Sequence, residues 1–551
     1  MVENERERVR IGVIGGGLQG KSVGLWFARR GFPTVIYEVD TRQVERIKQE
    51  VFADNRKYRA ARKFLYVTDD IKELKDCRLV IENIPENLEL KQAVMKTLEA
   101  VTGGQAYFSS NSSTFTPTEI SAHLENKQNF VNLHFLGIPW GGTKVELIPG
   151  KHTSAQAVGA ARDILLRANL IPVEIAECPG FVYNRVKLAE VSNLFRAIER
   201  GMVSLDCGLR YKLFPRLSYP LAFVDFMGID ASEASIRSLN EYYGERFYRS
   251  RLLSEKVEQN NLGVKTGKGF LDHSRPVDLN ALGPDFSSSR SSIRSIYVEE
   301  AQINHSNLII QMIRKGKRLC FDRPDNAYFC LLQKIDPNLA AKIKDHCRFL
   351  DHIQDPPAVD LILLSPRVTV EALIAKIVNL QQRFGSDIPV VVNSPIYKIE
   401  EIADRTLNPS LVFGLNSQKN FLENIELVRS KGVEESTFEQ IRMLLGELTN
   451  DCIEVQDDYT RPLIFSLMAK MFEAARLIEE GIGDKEKIEV LLDRDSVIKD
   501  MDYFGLDYLV FVSDYLYPLY GHPFVVPRLI KEMVEAGHLG VSSGRGFFSY
   551  F

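Results

Sequence analysis

Short apolar runs recur along the first 180 positions, separated by stretches in which apolar residues return at helical spacing. Residues 9–14 (VRIGVI) form the first run, a helix is predicted from there to about Arg30, and PTVIYE gives a second strand ending at Glu38. CRLVIENIP, AYFSSNSS, NFVNLHF and KVELIPG continue the series, with a helix expected from about Leu88 to Val101. Strands that alternate with helices predict a parallel sheet covered on both faces. After ECPGFVYNR the strand signals fade. Long amphipathic helical patterns run from Val186 to about Asn261 and end in GVKTGKGFLDH, and the Ser- and Pro-rich SRPVDLNALGPDFSSSRSS reads as a linker.

The second half repeats this order. SIYVEEAQINHSNLIIQMIRKGKRLCF (residues 295–321) has the layout of strand, loop, helix and strand. With Gly316 set on Gly31, VDLILLSP falls over CRLVIENIP, and VVVNSPIYKIEEI over YFSSNSSTFTPTEI. ARLIEEGI falls over FRAIERGM, and GHLGVSSGRGFFSY over NNLGVKTGKGFLDH. Matching pieces in one order predict a duplicated globular unit, because the period is far longer than that of a solenoid. The expected fold class is α/β plus all-α: a Rossmann-type domain (1–180), a helical domain (181–275), a linker (276–292), a degenerate Rossmann-like domain (293–456) and a second helical domain (457–551).

Composition narrows the class. The chain has 551 residues, too many for one ordinary domain, and its 45% hydrophobic content is that of a globular protein. A net charge of −4 from well-mixed residues gives no signature of nucleic-acid or membrane binding. The seven cysteines are scattered without a CxxC pair, no metal site is expected, and the N-terminal segment is charged. These features predict reduced thiols and a cytoplasmic location.

Gly15-x-Gly17-x-x-Gly20 lies between a predicted strand and helix, and Glu38 closes the next strand. In that context the first glycine makes a turn, the second lets backbone approach a pyrophosphate and the third lets helix pack on strand. Gly15, Gly17, Leu18, Gln19 and Gly20 are therefore candidate dinucleotide-binding residues. Glu38 is placed to accept from an adenosine ribose, which favours NAD over NADP.

NSST, HF, VE and PGFVYNR carry a further pattern: 21 residues from Ser113 to His134, 12 to Glu146 and 38 to Asn184. With these motifs and the closing KTGKGF, residues from near Val9 to His273 resemble the L-3-hydroxyacyl-CoA dehydrogenases. The resemblance implies His134 as the base for a hydroxyl proton, Glu146 as its orienting carboxylate and Ser113 as a hydrogen-bond partner of the substrate's C3 oxygen. It implies Asn184 as an aligning or polarising group, and Glu86 and Lys91 as lining the ribose and nicotinamide end of NAD. Histidine suits such a base because it titrates near neutral pH. Where the family usually continues His-Phe with Phe-Asn-Pro, this chain has Leu136, Gly137, Ile138 and Pro139, then Trp140-Gly141-Gly142. That difference removes an asparagine side chain and predicts a loosened or reshaped wall.

In the repeat, Gly15, Gly17 and Gly20 fall on Glu300, Gln302 and His305, Ser113 on Pro395, His134 on Asn416 and Asn184 on Ile464, while Glu426 retains the Glu146 carboxylate. The second copy is expected to bind no dinucleotide and to be structural. The family dimerises through its helical domains, so the resemblance implies an intramolecular pseudo-dimer, as a monomer or a homodimer of the whole chain. The reaction it implies, within fatty acid metabolism, interconverts a (3S)-3-hydroxyacyl thioester, on coenzyme A or a carrier protein, and its 3-oxoacyl thioester. A dehydrogenase of a free or carrier-bound small hydroxy acid and a non-catalytic NAD-binding protein stand as alternatives.

Overall fold

The structure, a computed structural model, describes residues 9–53, 58–138, 141–212, 219–278, 286, 290–299, 306–322, 338–350, 357–417, 424–449, 452–492 and 496–550. Much of the expected linker, together with Pro139, Trp140, Glu300, Gln302 and His305, lies outside the described residues. The chain forms two compact units. The first comprises Met1–Leu188, Ala234–Gly244 and Glu473–Ile498; the second comprises Ala189–Glu233, Glu245–Phe472 and Lys499–Phe551. Compactness thus groups residues differently from chain order, and each unit draws on both copies of the repeat.

In the first unit, strands β1 (Ile11–Ile14), β2 (Thr34–Tyr37), β3 (Leu65–Thr68), β4 (Leu79–Glu82) and β5 (Tyr107–Ser110) form a parallel sheet in the order β3-β2-β1-β4-β5. β6 (Val131–Phe135), β7 (Lys144–Pro149) and β8 (Ile171–Glu174) form a three-stranded sheet, antiparallel between β6 and β7 and parallel between β7 and β8. β1 is buried along its whole length, and Ile11 and Val13 pack with Val23 and Phe27 of helix α1 (Leu18–Ala28). Each such side chain contributes on the order of 1.5–3 kcal/mol of burial energy. Helix α2 (Leu88–Thr102) starts where the Asn87 side chain accepts from Leu90 N and stops at Gly103, whose φ of 60° a residue with a Cβ rarely adopts. β3 and β8 were not resolved in the sequence pattern; both are short, and β8 places Pro172 inside the strand.

Helix α3 (Phe181–Glu199) opens the helical part, followed by α4 (Ile229–Tyr243). In the second unit β9 (Ser295–Glu299), β10 (Arg318–Phe321), β11 (Cys347–Phe349), β12 (Leu361–Leu364), β13 (Val390–Asn393), β14 (Val412–Asn416), β15 (Glu426–Arg429) and β16 (Ile453–Gln456) make one sheet in the order β11-β10-β9-β12-β13-β14-β15-β16. That repeats the order of the five-stranded sheet followed by that of the three-stranded one, joined here into a single sheet. α5 (Ser306–Arg314) follows β9, and α6 (Pro462–Glu479) and α7 (Lys485–Leu492) begin the second helical segment. The fold is therefore a Rossmann-type sheet followed by helices, present twice.

The repeated closing motif has a clear structural reason. Asp225, fully buried, accepts hydrogen bonds from Phe270 N (2.9 Å), Leu271 N (2.8 Å) and His273 Nε2 (2.8 Å). Asp502 does the same for Phe547 N (2.8 Å), Phe548 N (2.9 Å) and the Tyr550 hydroxyl (2.9 Å). A Cβ at Gly269 would lie 2.3 Å from Asp225 Oδ1, and one at Gly546 2.0 Å from Asp502 Oδ1. The motif's last glycine admits the carboxylate that fastens the segment. Gly269→Ala is expected to destabilise the second unit by about 1–3 kcal/mol, seen as a lower urea midpoint at unchanged m-value.

Candidate active site

The glycine loop follows β1 directly. Gly15 has φ of +90°, and a Cβ there would lie 2.6 Å from Asn83 O. A Cβ on Gly20 would lie 1.9 Å from Gly15 O, so α1 can approach the strand only with glycine at that position. Gly17 is different, because a Cβ on it would meet no atom of the described residues within 4 Å. Packing within the chain gives no reason for glycine there, whereas close approach of a pyrophosphate does. The start of α1 at Gly17 carries no side-chain cap and no acid in its first turn, so its N–H groups suit an anion. Leu18 is exposed, and the buried Gln19 Oε1 has no hydrogen-bond partner among the described residues. Glu38 is held against the loop, its Oε2 accepting from Gly16 N (2.6 Å) and its Oε1 from Asp40 N (3.0 Å). These residues fit a dinucleotide with a free ribose diol. Arg42 lies beside Asp40 on the surface.

The ends of β4 and β5 carry a buried network. Glu82 accepts from Lys91 Nζ (2.9 Å), Ile84 N (2.6 Å) and the Ser110 hydroxyl (2.6 Å). Lys91, 1% exposed, also pairs with Glu86 at 3.2 Å. The other oxygen of Glu86 accepts from the Ser112 hydroxyl (2.5 Å) and Thr114 N (3.1 Å). Lys91 and Glu86 thereby fix the loop that carries Ser113, and Lys91 acts from beneath it. Ser113 is half-buried, and its carbonyl accepts from Asn184 Nδ2 at 3.3 Å.

His134 and Glu146 face each other across β6 and β7 as register partners. Nδ1 of His134 lies 2.5 Å from Glu146 Oε2. Glu146 is fully buried, and its Oε1 accepts from Val182 N and Tyr183 N, both at 2.9 Å, in the first turn of α3. A carboxylate with these neighbours only accepts, so Nδ1 of His134 donates to it and Nε2 is the nitrogen directed away from the carboxylate. The sequence reading missed Asn111. It accepts from Phe135 N (2.8 Å) and donates to Asn83 Oδ1 (2.9 Å), tying the strand that carries His134 to the loops after β4 and β5. Its place at the head of NSST was the available signal. After His134, Gly142 N donates to Gly137 O at 2.9 Å, with Gly137 at φ 64° and Gly141 at 82°.

The second sheet keeps the register with different chemistry. Asn416 on β14 is the partner of Glu426 on β15 and donates to it at 2.5 Å. The other Glu426 oxygen accepts from Leu463 N (2.8 Å) and from the Tyr211 hydroxyl (2.5 Å).

Family models describe the same organisation. The NAD-binding domain of 3-hydroxyacyl-CoA dehydrogenase matches residues 10–178, and the C-terminal domain of that family matches residues 180–273 and again 466–550. The chain belongs to the 3-hydroxyacyl-CoA dehydrogenase family. A 5-formyl-3-hydroxy-2-methylpyridine 4-carboxylate 5-dehydrogenase of Mesorhizobium japonicum is 27% identical over 303 residues, 52% of this chain and 97% of its own length. A probable 3-hydroxybutyryl-CoA dehydrogenase of Deinococcus radiodurans is 26% identical over 275 residues, 48% of this chain and 99% of its own. The crystal structure of 3-hydroxybutyryl-CoA dehydrogenase from Escherichia coli superposes with a TM-score of 0.67 at 18% identity, covering 96% of this chain and 99% of that one, a likeness of fold. The chain is accordingly an NAD-dependent oxidoreductase of the 3-hydroxyacyl-CoA dehydrogenase type. Among the described residues, no helix is long and apolar enough to cross a membrane.

The glycine geometry gives a prediction with two arms. Gly17→Ala is expected to leave the melting temperature unchanged and weaken NAD binding by about tenfold or more, read by titration calorimetry. Gly20→Ala, which drives a Cβ into Gly15 O, is expected to lower the melting temperature itself.

Proposed function

We propose that the first copy catalyses the reversible NAD-linked oxidation of a (3S)-3-hydroxyacyl thioester to its 3-oxoacyl thioester. The observation that carries this reading is the buried His134–Glu146 pair in one unit with a glycine loop whose second glycine packs against none of the described residues. NAD supplies the hydride acceptor. His134 Nε2 takes the hydroxyl proton as the C3 hydride leaves, and Glu146 stabilises the imidazolium that results. Ser113 hydrogen-bonds the C3 oxygen. Asn184, anchored on the Ser113 carbonyl, aligns the reacting group or polarises the carbonyl. Glu38 holds the adenosine ribose, while Glu86 and Lys91 shape the loop at the other end of the dinucleotide. In reduction the imidazolium returns its proton to the ketone oxygen.

The second copy is read as non-catalytic. Asn416 stands in the register of His134 and offers no base, and Glu426 is saturated by Asn416, Leu463 N and Tyr211. Burial pushes the Glu426 carboxyl above its usual range. The folded state therefore binds that proton more tightly than the unfolded chain and loses stability as pH rises upward from the ordinary carboxylate range.

The two copies are read as an intramolecular pseudo-dimer, whether the chain is a monomer or a homodimer of whole chains, in the cytoplasm. Glu190 and Lys470 occupy equivalent positions of α3 and α6, both buried, and pair at 3.1 Å. Two identical copies would set like charges against each other there, so this pair favours association within one chain.

A free hydroxy acid is the second reading. It is favoured by Gly137, which stands where the family has an asparagine, and by the Mesorhizobium relative, whose name describes a pyridine carboxylate substrate.

NADH absorbance with acetoacetyl-CoA, longer 3-oxoacyl-CoAs, a carrier-protein thioester and free 3-oxo acids separates the substrate classes. Turnover of a thioester by wild type, with a drop of about 10²–10⁴-fold in His134→Ala, is the expected result. Activity confined to free acids would select the second reading, and equal rates in both proteins would remove His134 as the base. Glu426→Gln is expected to leave turnover unchanged and to hold or raise the urea midpoint at neutral pH.

A further inference from the structure

The carboxylate that orients His134 is itself held from α3. Val182 N and Tyr183 N both donate to Glu146 Oε1, so any shift in the first turn of α3 moves Glu146 and with it the imidazole. Arg185 lies within a turn of these donors and is completely buried. Its guanidinium reaches two carboxylates of the second copy that belong to the same compact unit. Nε donates to Glu473 Oε1 at 2.8 Å and Nη2 also bonds that oxygen, while Nη1 donates to Glu480 Oε2 at 2.6 Å and Nη2 to Glu480 Oε1 at 3.2 Å. Arg476 Nη1 lies 3.4 Å from the other Glu473 oxygen. The guanidinium carbon sits 4.3 Å from the centroid of the Tyr243 ring, and the Tyr243 hydroxyl donates to Pro179 O at 3.0 Å. Burial works against the charge on Arg185, but the Glu473 charge and the Glu480 hydrogen bond more than restore it.

We propose that Glu473 and Glu480 of the degenerate copy are positioning residues for the active site of the first, acting through Arg185 on the start of α3 and so on the Glu146 carboxylate that orients His134. A planar guanidinium clamped along two edges has little freedom, and a bidentate fork fixes direction as well as distance. A misplacement of about 1 Å far from the reacting atoms is enough to cost about 10²-fold in rate. The degenerate copy thereby supplies an anchor that the sequence of the first half does not contain. The kinetic part rests on the dehydrogenase reading; the geometric part does not.

The test uses the full chain and a charge-neutral double variant, Arg185→Gln/Glu473→Gln. It removes the tether while leaving the net charge of the cluster unchanged, so a through-space charge effect is cancelled. Three quantities are read: kcat, the KM for NAD, and the downfield proton resonance of His134 Nδ1–H, which needs no turnover. The expected result is a kcat lower by about 10–100-fold, a KM for NAD within about twofold of wild type, and an Nδ1–H resonance moved upfield or lost to exchange. Glu480→Gln, at a partly exposed carboxylate, is expected to show the same changes to a smaller degree, and Glu480→Asp to recover part of them. A folded double variant with unchanged kcat and an unmoved resonance overturns the proposal. If the double variant does not fold, an unchanged resonance and kcat in Glu480→Gln overturn it equally. A wild type that turns over no substrate defeats the dehydrogenase reading alone, because the resonance still reports whether the tether sets the His134–Glu146 contact.

Discussion

A fully buried carboxylate is tolerated only when its oxygens are satisfied, and the arrangement around Glu146 follows from meeting that demand. One oxygen takes the His134 ring and the other takes two backbone N–H groups at the start of α3. The residues that answer the carboxylate come from one strand and a helix, and the carboxylate from a second strand, so satisfying it also fixes the elements around the candidate site. The imidazole is left with a single orientation, its free nitrogen directed away from the carboxylate, as a proton acceptor requires. Asn111 adds a second tie from the loop after β5 to the strand of His134, and Glu86 with Lys91 holds the loop of Ser113 from beneath. The groups assigned to chemistry are few, and most of the polar network serves to keep them still.

Duplication shows which parts of this arrangement belong to the fold and which to the site. The Asp225 and Asp502 clasps are nearly identical, because both fasten a chain segment whose backbone donors must be paired wherever the fold occurs. The strand register that sets His134 opposite Glu146 also sets Asn416 opposite Glu426. In the second copy the carboxylate survives because removing it would leave Leu463 N and the Tyr211 hydroxyl without an acceptor in the interior. The histidine position carries no such demand, and an amide satisfies the same carboxylate oxygen. An amide in place of the imidazole costs the fold little, whereas loss of the acceptor oxygen would cost more.

Much of the architecture was legible in the sequence. The strand–glycine loop–helix opening, the repeated order of apolar runs and the spacing of Ser113, His134, Glu146 and Asn184 are local or periodic features, and β1, α1, β2, α2, β5, β6 and β7 lie where the pattern put them. The short strands β3 and β8 were missed, since four residues beside charged or proline positions carry too little periodicity to separate from loop. Lys91 was read as lining the nicotinamide end; the structure gives its ammonium two carboxylate partners, Glu82 and Glu86, a pairing that sequence position does not reveal.

By itself the sequence determined the fold class, the duplication and the chemical type of the candidate site, because hydrophobic period, glycine placement and motif spacing act over short distances along the chain. Only the tertiary structure decided which groups hold that site in place. Arg185 and Glu473 are 288 residues apart, and nothing in either neighbourhood indicates the other. Their pairing arises when two helices from different copies bury their charges in one compact unit, where each charge must find its opposite.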